Sequence, residues 1–190
     1  MTGDSEPADR AESAARAERL LARVRDVADF PKPGIVFKDI TPLLADHTSF
    51  TEAVDGLADP FRDSAVDTVA GIEARGFVLG APVALELGAG FVPVRKKGKL
   101  PGQTVSASYD LEYGSAVLEV TSDAFLAGAR VLVVDDVLAT GGTAAATVEL
   151  VRRCGGDVVG VALLMELGFL NGREALSAAG IADPHVLLGV

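Results

Sequence analysis

The segment from Val131 to Thr143 constrains the fold of this chain more than any other part of the sequence. It begins with four apolar, mostly β-branched residues, which predict a buried strand. Two aspartates and a turn of small residues follow, and Thr143 begins an alanine-rich helix predicted to run to about Cys154. A strand that leads directly into a helix is the unit of an open α/β sheet, in which ligands bind where strands end.

The turn inside this segment has the composition of a phosphate-binding site. Residues 140–143 lie at the predicted helix N-terminus, where unpaired N–H groups and the positive end of the helix dipole attract an anion. Gly141 and Gly142 allow the backbone to approach a phosphate closely. The segment is neither a Walker A loop nor a Gly-x-Gly-x-x-Gly fingerprint. An ordinary strand–turn–helix with a solvated acidic turn is the alternative.

The paired acids Asp135 and Asp136 indicate what else this ligand contains. Carboxylates would repel a phosphate that touched them, but an ionised Asp accepts hydrogen bonds from hydroxyl groups. A ribose 2′,3′-diol at the acids, with its 5′-phosphate at the turn, describes a phosphoribosyl group.

The same segment resembles the phosphoribosyl-pyrophosphate signature of type I phosphoribosyltransferases. Four further motifs follow the order found in the adenine phosphoribosyltransferases: Phe30–Asp39, Gly71–Phe77, Arg95–Gly102 and Tyr109–Gly114. The resemblance implies an α/β fold of the type I class, a central, mostly parallel sheet flanked by helices, with a small hood and a flexible lid loop. It also implies a purine salvage transferase that converts adenine and 5-phosphoribosyl 1-pyrophosphate to AMP and pyrophosphate.

Two alternatives remain open beside this interpretation. One is a phosphoribosyltransferase of the same fold that acts on another purine, xanthine or hypoxanthine. The other is a non-catalytic regulator that keeps the phosphoribosyl site as a ligand sensor. Such regulators usually carry a basic DNA-binding segment, whereas the residues before the first motif are acidic and few. A phosphoribosyl-pyrophosphate synthase would need an ATP site, for which the sequence shows no motif.

The resemblance assigns a set of residues to each part of the substrate. The ribose 5-phosphate residues are Asp135, Asp136, Ala139, Thr140, Gly141, Gly142 and Thr143. The pyrophosphate residues are Glu73, Ala74, Arg75, Arg95, Lys96 and Lys99. At Glu73–Gly76, a second strand-to-helix turn, we expect backbone N–H groups and the Arg75 guanidinium to hold an anion. Relatives often have a strained peptide bond at the position of Glu73–Ala74.

The chain places an unusual concentration of cations before its predicted hairpin. Four of its 17 Lys and Arg residues fall within residues 95–99, and residues 96–108 have the Gly, Lys and Ser content of a mobile lid. A closed lid would keep water from an activated sugar. The resemblance gives Lys99 and Arg75 catalytic contacts to pyrophosphate. It also implies a homodimer, in which Arg95, Lys96 and Lys99 act across the interface.

Base recognition and proton transfer are assigned by the resemblance to two further motifs. Val36 and Phe37 are expected to sandwich adenine, and the backbone groups of Val36 and Lys38 to contact its edge. Glu112 is expected to handle the proton of the base. Mg²⁺ is the implied cofactor, carried by substrate oxygens and water without direct protein ligands.

Composition limits the environment and the partners. The net charge of −10 argues against nucleic acid as a partner. A single cysteine fits a reducing compartment, and neither a signal peptide nor a membrane span is evident, so we expect a cytoplasmic protein. We expect a disordered tail over residues 1–12 and one domain over 13–190, with 30–40 in the hood and 96–114 as lid loop and hairpin.

Periodicity and turn residues predict the remaining elements. A first helix should run to about Val27, with Thr41 and Thr48 capping two more, the second ending near Arg62. Other predicted elements are strands Ile35–Phe37, Val66–Gly71, Phe91–Arg95 and Val158–Met165, helix Phe77–Leu87, and a hairpin of Thr104–Tyr109 with Ala116–Val120.

Overall fold

A computed structural model of the chain describes residues 5–110 and 115–190. The chain forms two compact units, Met1–Gly56 and Leu57–Val190. Residues 30–40, expected in the hood, belong to the first unit. One domain over residues 13–190 stays a prediction. In the described part of the chain, no helix combines the length and apolarity that crossing a membrane requires.

The N-terminal unit is built from helices and one two-stranded sheet. Its elements are α1 (Ser5–Leu21), β1 (Arg25–Ala28), β2 (Val36–Asp39), α2 (Thr41–Ala45) and α3 (His47–Ala58), which continues into the second unit. Helix α1 begins inside the stretch expected to be a disordered tail and ends before Val24. The predicted extension of this helix to Val27 is wrong, because Val27 pairs with Phe37 where β1 and β2 run antiparallel.

Aspartates, not the predicted threonines, hold the starts of the two short helices. The Asp39 carboxylate accepts a hydrogen bond from the Thr41 N–H group at 2.9 Å, and Thr41 is the first residue of α2 rather than its cap. Asp46 accepts hydrogen bonds from the Ser49 N–H and hydroxyl groups at 2.9 and 2.7 Å. Thr48 therefore lies inside α3, and an acidic side chain satisfies the free N–H groups.

The C-terminal unit contains a seven-stranded sheet in the order β5-β6-β4-β3-β7-β8-β9. The strands are β3 (Thr68–Ile72), β4 (Gly90–Lys96), β5 (Thr104–Asp110), β6 (Ser115–Thr121), β7 (Arg130–Leu138), β8 (Asp157–Glu166) and β9 (His185–Gly189). Strands β4, β3, β7, β8 and β9 are parallel, and β6 is antiparallel to both β4 and β5. The mostly parallel sheet and the hairpin are confirmed, and residues 104–108 of the expected lid belong to β5.

Helices flank this sheet. They are α4 (Arg75–Glu86), α5 (Gly142–Arg153) and α6 (Gly172–Ala178), with short 3₁₀ turns at Asp59–Phe61 and Gly168–Leu170. Apolar residues of the strands and of α5 form the core, among them Ile72, Val94, Leu118, Val133, Leu150 and Leu163. The α/β architecture predicted from the sequence, a central, mostly parallel sheet with flanking helices, is confirmed, while α6 and β9 follow the last predicted element.

Two neighbouring parallel strands position the site. In register, Gly71 of β3 lies beside Val134 of β7. Each of these strands then leads into a helix, β3 into α4 and β7 into α5. Because parallel strands end at the same edge of a sheet, both strand-to-helix turns face the same space. The acids were expected at the carboxyl end of a strand over residues 131–135, but β7 extends to Leu138, so both acids lie within it.

Candidate active site

A pocket of about 300 Å³ lies at the carboxyl ends of β3 and β7. Its lining includes ten of the predicted residues: Glu73, Ala74, Arg75, Lys96, Asp135, Asp136, Ala139, Thr140, Gly141 and Thr143. The remaining lining residues, Tyr109, Val137, Leu138 and Ala144, were not predicted. Arg75 and Asp135, which are 60 residues apart in sequence and were predicted from separate motifs, thus line one cavity.

The glycine turn forms the N-terminus of α5. Gly141 has φ +81° and is the N-cap residue, Gly142 begins the helix, and the Ala145 N–H group donates to the Gly141 carbonyl at 2.9 Å. A Cβ atom on Gly141 would lie 2.9 Å from that of Ala175, so only glycine fits here. The N–H groups of the first helical turn have no partner within the helix. They are therefore available to an anion in the pocket.

Asp135 and Asp136 are both buried in the wall of the pocket. The Asp135 Oδ1 atom accepts a hydrogen bond from the Asp136 N–H group at 2.9 Å, and Asp136 Oδ2 lies 2.6 Å from Arg75 Nη2. Burial, followed by the neighbouring Asp136 charge, raises the pKa of Asp135 well above its ordinary value. Burial also raises the pKa of Asp136, although the Arg75 charge opposes this shift.

Gly76 allows α4 to approach the acids closely. A Cβ atom at this position would lie 2.7 Å from Asp135 Oδ1 and 3.0 Å from the Val134 carbonyl oxygen. Carbon and oxygen atoms cannot approach so closely without displacement. The absence of a side chain at Gly76 therefore sets the distance between the start of α4 and the acidic end of β7.

Glu73 lines the pocket and contacts three cationic residues of the 95–99 segment. Its buried carboxylate accepts hydrogen bonds from Arg95 Nε at 3.2 Å, from the Lys96 N–H group at 3.1 Å, and from Lys99 Nζ. Burial raises the pKa of Glu73, but the hydrogen bonds from Lys99 and Lys96 outweigh burial and leave this pKa below its ordinary value. Arg95 and Lys99 thereby connect to the pocket through Glu73.

The backbone of this turn differs in one respect from the prediction. The Glu73 N–H group donates to the Val94 carbonyl oxygen at 3.0 Å, so it is not available to an anion. The prediction that the N–H groups of this turn bind an anion is therefore wrong for Glu73, because its N–H group continues the pairing of β3 with β4. The Glu73–Ala74 peptide bond is cis.

The residues predicted to bind adenine belong to the N-terminal unit. Val36, Phe37 and Lys38 are on β2 in the N-terminal unit, where the Phe37 ring contacts the Phe30 ring edge to face at a centroid distance of 5.2 Å. Lys38 Nζ lies 2.8 Å from Asp26 Oδ1. Glu112 lies outside the described residues.

Sequence reasoning missed two polar residues near the pocket. Tyr109, at the end of β5, lines the cavity, and Glu119 is buried in the middle of β6. The sequence predicts Tyr109 only as a strand residue, although it lies in one of the motifs that resemble the family. A single glutamate between the apolar residues Leu118 and Val120 was the signal for Glu119, since a charged side chain is seldom buried without partners.

Comparison with known proteins identifies the family of the chain. The sequence model of the phosphoribosyl transferase domain matches residues 43–175. An adenine phosphoribosyltransferase from Streptomyces coelicolor is 62% identical over 167 residues, which cover 88% of this chain and 92% of that protein.

Solved structures give the same result. The crystal structure of adenine phosphoribosyltransferase from Rhodothermus marinus superposes with a TM-score of 0.88 at 51% identity, covering 93% of this chain and 99% of that one. The enzyme from Trypanosoma brucei, solved in complex with AMP, pyrophosphate and ribose-5-phosphate, superposes with a TM-score of 0.78 at 29% identity, covering 92% and 79%. The chain belongs to the phosphoribosyltransferase family and, within it, to the adenine phosphoribosyltransferases.

Proposed function

We propose that the chain transfers the phosphoribosyl group of 5-phosphoribosyl 1-pyrophosphate to adenine, forming AMP and releasing pyrophosphate. One feature of the site supports this reaction above all others. The buried acids of β7 and the glycine turn at the start of α5 line the same pocket. Carboxylates that can accept hydrogen bonds from sugar hydroxyls therefore lie next to N–H groups that can donate hydrogen bonds to a phosphate. The relatives named adenine phosphoribosyltransferase, and the T. brucei complex with the two products, support the same assignment.

The ribose 5-phosphate is assigned to one wall of the pocket. The carboxylates of Asp135 and Asp136 accept hydrogen bonds from the two ribose hydroxyls. Residues Ala139–Thr143 surround the 5′-phosphate, with the free N–H groups of the first turn of α5 directed at its oxygens. This wall fixes the sugar, so that C1′ is presented to the base in a constant orientation.

The pyrophosphate is assigned to the opposite wall. The Arg75, Arg95, Lys96 and Lys99 side chains and the Ala74–Arg75 backbone supply positive charge there, and Glu73 holds three of these cationic residues. As the bond from C1′ to pyrophosphate breaks, negative charge grows on the leaving oxygens. Positioned cations stabilise that charge, which is commonly a large part of the rate acceleration.

Adenine is assigned to Val36, Phe37 and Lys38, with the Phe37 ring against a face of the purine and backbone groups at its edge. Glu112 is assigned the proton that N9 of adenine loses when it bonds to C1′. These assignments rest on family membership, because both segments lie in motifs that resemble those of the family.

Mg²⁺ is the metal that we propose for the reaction. In the described ranges, 5–110 and 115–190, no group of three or more His, Cys, Asp or Glu side chains is placed to hold a metal ion. Mg²⁺ commonly takes substrate phosphates and water plus few carboxylates, so this donor set fits an ion carried in with pyrophosphate oxygens. When bound, the ion supplies further neutralisation of the leaving group.

Homodimer formation and a cytoplasmic location complete the proposal. Family membership supports a dimer in which Arg95, Lys96 and Lys99 act across the interface. The single cysteine, Cys154, fits a reducing compartment.

The test is a direct assay of the purified chain with 5-phosphoribosyl 1-pyrophosphate, Mg²⁺ and one base at a time. We expect adenine to give AMP and pyrophosphate in equal amounts, and hypoxanthine and xanthine to react far more slowly. If hypoxanthine or xanthine reacts faster than adenine, that base replaces adenine as the proposed substrate. Binding of the phosphoribosyl donor without pyrophosphate release would indicate a regulator.

A further inference from the structure

Glu119 is a buried carboxylate to which the proposed reaction gives no part. Its residue is 5% exposed and lies in β6, between β4 and β5. In register, Glu119 pairs with Arg95 on one side and with Ser106 on the other, so the three side chains share one face of the sheet. An acid buried at such a place loses hydration, and the hydrogen bonds that it forms must offset that loss.

Those hydrogen bonds hold the cationic turn. Glu119 Oε2 accepts from the Gly98 N–H group at 3.0 Å, and Oε1 accepts from the Ser106 hydroxyl at 3.1 Å. Gly98 has φ +82° and lies between Lys97 and Lys99. A carboxylate that accepts from a backbone N–H group makes a stronger bond than a neutral acceptor, and burial strengthens it further.

The same turn is held from a second direction by Glu73, which accepts from the Lys96 N–H group and from Lys99 Nζ. The Lys97 N–H group also donates to the Val117 carbonyl at 3.0 Å, and Arg95 Nη1 donates to the Lys99 carbonyl at 3.0 Å. Hydrogen bonds therefore hold residues 95–99 from more than one direction. Glu119 is the group that fixes the tip of the turn, at Gly98.

We propose that Glu119 is a positioning residue, which holds the Gly98 turn so that Lys99 and Arg95 stand ready for the pyrophosphate group. This inference rests on the proposed function, because it takes Lys99 and Arg95 as pyrophosphate ligands. Without the Glu119 carboxylate, ordering of the turn would have to accompany binding, and the lost freedom would lower the affinity. The ribose 5-phosphate wall contains no part of this turn and keeps its affinity.

The experiment compares Glu119→Ala with two matched variants. Glu119→Gln keeps a carbonyl oxygen for the Gly98 N–H group, and its NH₂ group can donate to the Ser106 hydroxyl. Ser106→Ala removes the other partner of Glu119 and leaves the Gly98 contact. Calorimetric titration with inorganic pyrophosphate in the presence of Mg²⁺, and separately with ribose 5-phosphate, measures the two walls independently.

We expect Glu119→Ala to weaken pyrophosphate binding about tenfold, the size of one strong hydrogen bond lost, with ribose 5-phosphate binding unchanged. Ser106→Ala should bind both probes as the wild type does, and Glu119→Gln should lose less pyrophosphate affinity than Glu119→Ala, because its neutral carbonyl oxygen still accepts from Gly98. In steady-state assays the KM for 5-phosphoribosyl 1-pyrophosphate should rise while the KM for adenine stays constant. If Glu119→Ala does not fold, Glu119→Asp, whose shorter side chain withdraws from Gly98, should show the same selective loss.

Two results would overturn the inference alone. One is unchanged pyrophosphate affinity in Glu119→Ala, or in Glu119→Asp where the alanine variant does not fold, and the other is an equal loss of affinity for both probes, which would indicate general damage to the fold. A wild-type chain that binds neither probe and forms no AMP would instead remove the proposed function, and this inference with it.

Discussion

The Arg75 guanidinium and the Asp136 carboxylate form an ion pair of 2.6 Å, which joins the first residue of α4 to the end of β7. The Asp136 side chain is 8% exposed and that of Arg75 is 36% exposed, so the acid is buried while the cation faces the pocket. The pair thus connects the two walls assigned to the ribose and to pyrophosphate.

Asp136→Asn should impair catalysis far more than folding. The amide keeps the volume and can still accept from Arg75, but it loses the charge and one acceptor for the ribose hydroxyls. We expect kcat/KM for 5-phosphoribosyl 1-pyrophosphate to fall about 100-fold, as when one polar group is removed from a preorganised site. The melting temperature should change by only a few degrees. Steady-state kinetics and thermal unfolding measure the two effects.

Glu166→Gln is the matched control for Asp136→Asn. It neutralises the acid of an ion pair at 2.8 Å with Arg173, which is not part of the pocket lining. Its kcat/KM should equal that of the wild type. Near-normal turnover in Asp136→Asn would contradict the role assigned to this acid.

Asp135→Asn should stabilise the fold at neutral pH. Burial and the Asp136 charge raise the pKa of Asp135 in the folded chain. The contribution of protonated Asp135 to the stability of the fold is therefore fully present below the ordinary Asp pKa of about 4, and it is lost as pH rises through the raised value. Asparagine cannot ionise and escapes this loss.

The expected gain for Asp135→Asn is about 2–4 °C in melting temperature at pH 7.5, for each kcal/mol of ionisation penalty removed. The difference from the wild type should shrink as pH falls toward 4. Melting curves between pH 4 and 8 test this trend. A variant less stable than the wild type at pH 7.5 would show that ionised Asp135 stabilises the ligand-free fold.

The parts of the site that sequence predicted are those whose signals are local. An apolar run, two acids, a glycine pair and a helix-forming stretch follow each other within residues 131–143, and each carries its own conformational preference. The structure accordingly shows β7, the turn and α5 in that order. Only the end of the strand was misjudged, because β7 continues pairing with β8 as far as Leu138.

The parts that sequence could not predict depend on pairing between distant segments. Glu73 meets Lys99 because β3 lies beside β4, and Glu119 meets Gly98 because β6 pairs with β4 in one register. Composition shows that acids and cations are present, but not which of them face each other. The predicted helix caps were wrong for a similar reason. The carboxylates of Asp39 and Asp46, and not the side chains of the neighbouring threonines, accept hydrogen bonds from the N–H groups at the helix starts.

Gly76→Ala should disturb both stability and substrate binding. Its added methyl group would press on Asp135 Oδ1 and on the Val134 carbonyl, which are backbone or buried atoms with little freedom to move. We expect a loss of about 1–3 kcal/mol in unfolding free energy, together with a higher KM for 5-phosphoribosyl 1-pyrophosphate. Urea unfolding and steady-state kinetics give the two values.

Gly189→Ala provides the comparison for Gly76→Ala. Gly189 also lies in a regular element, β9, but a Cβ atom there would meet no atom within 4 Å. Its stability and KM should match those of the wild type. If Gly76→Ala behaved in the same way, α4 would not be held against the acids as tightly as the distances indicate.

Glu73→Gln should destabilise the fold, with a pH dependence opposite to that of Asp135→Asn. Burial raises the pKa of Glu73, but the hydrogen bonds from Lys99 and Lys96 outweigh burial, so the pKa in the folded chain is below its ordinary value. The ionised form therefore stabilises the fold above the ordinary Glu pKa of about 4.3, and this contribution is lost as pH falls through the lowered value. We expect a loss of about 1–3 kcal/mol at pH 7 that diminishes on acidification.

Urea unfolding of wild type and Glu73→Gln at pH 7 and at pH 4 measures this difference, with Glu149→Gln as the reference. Glu149 pairs with Arg153 one helical turn away at 3.2 Å, and both side chains are about half exposed. Because water screens such a pair, its loss should change the unfolding free energy by less than about 0.5 kcal/mol at either pH. Equal effects of the two substitutions would mean that the buried Glu73 cluster contributes no more than a surface ion pair.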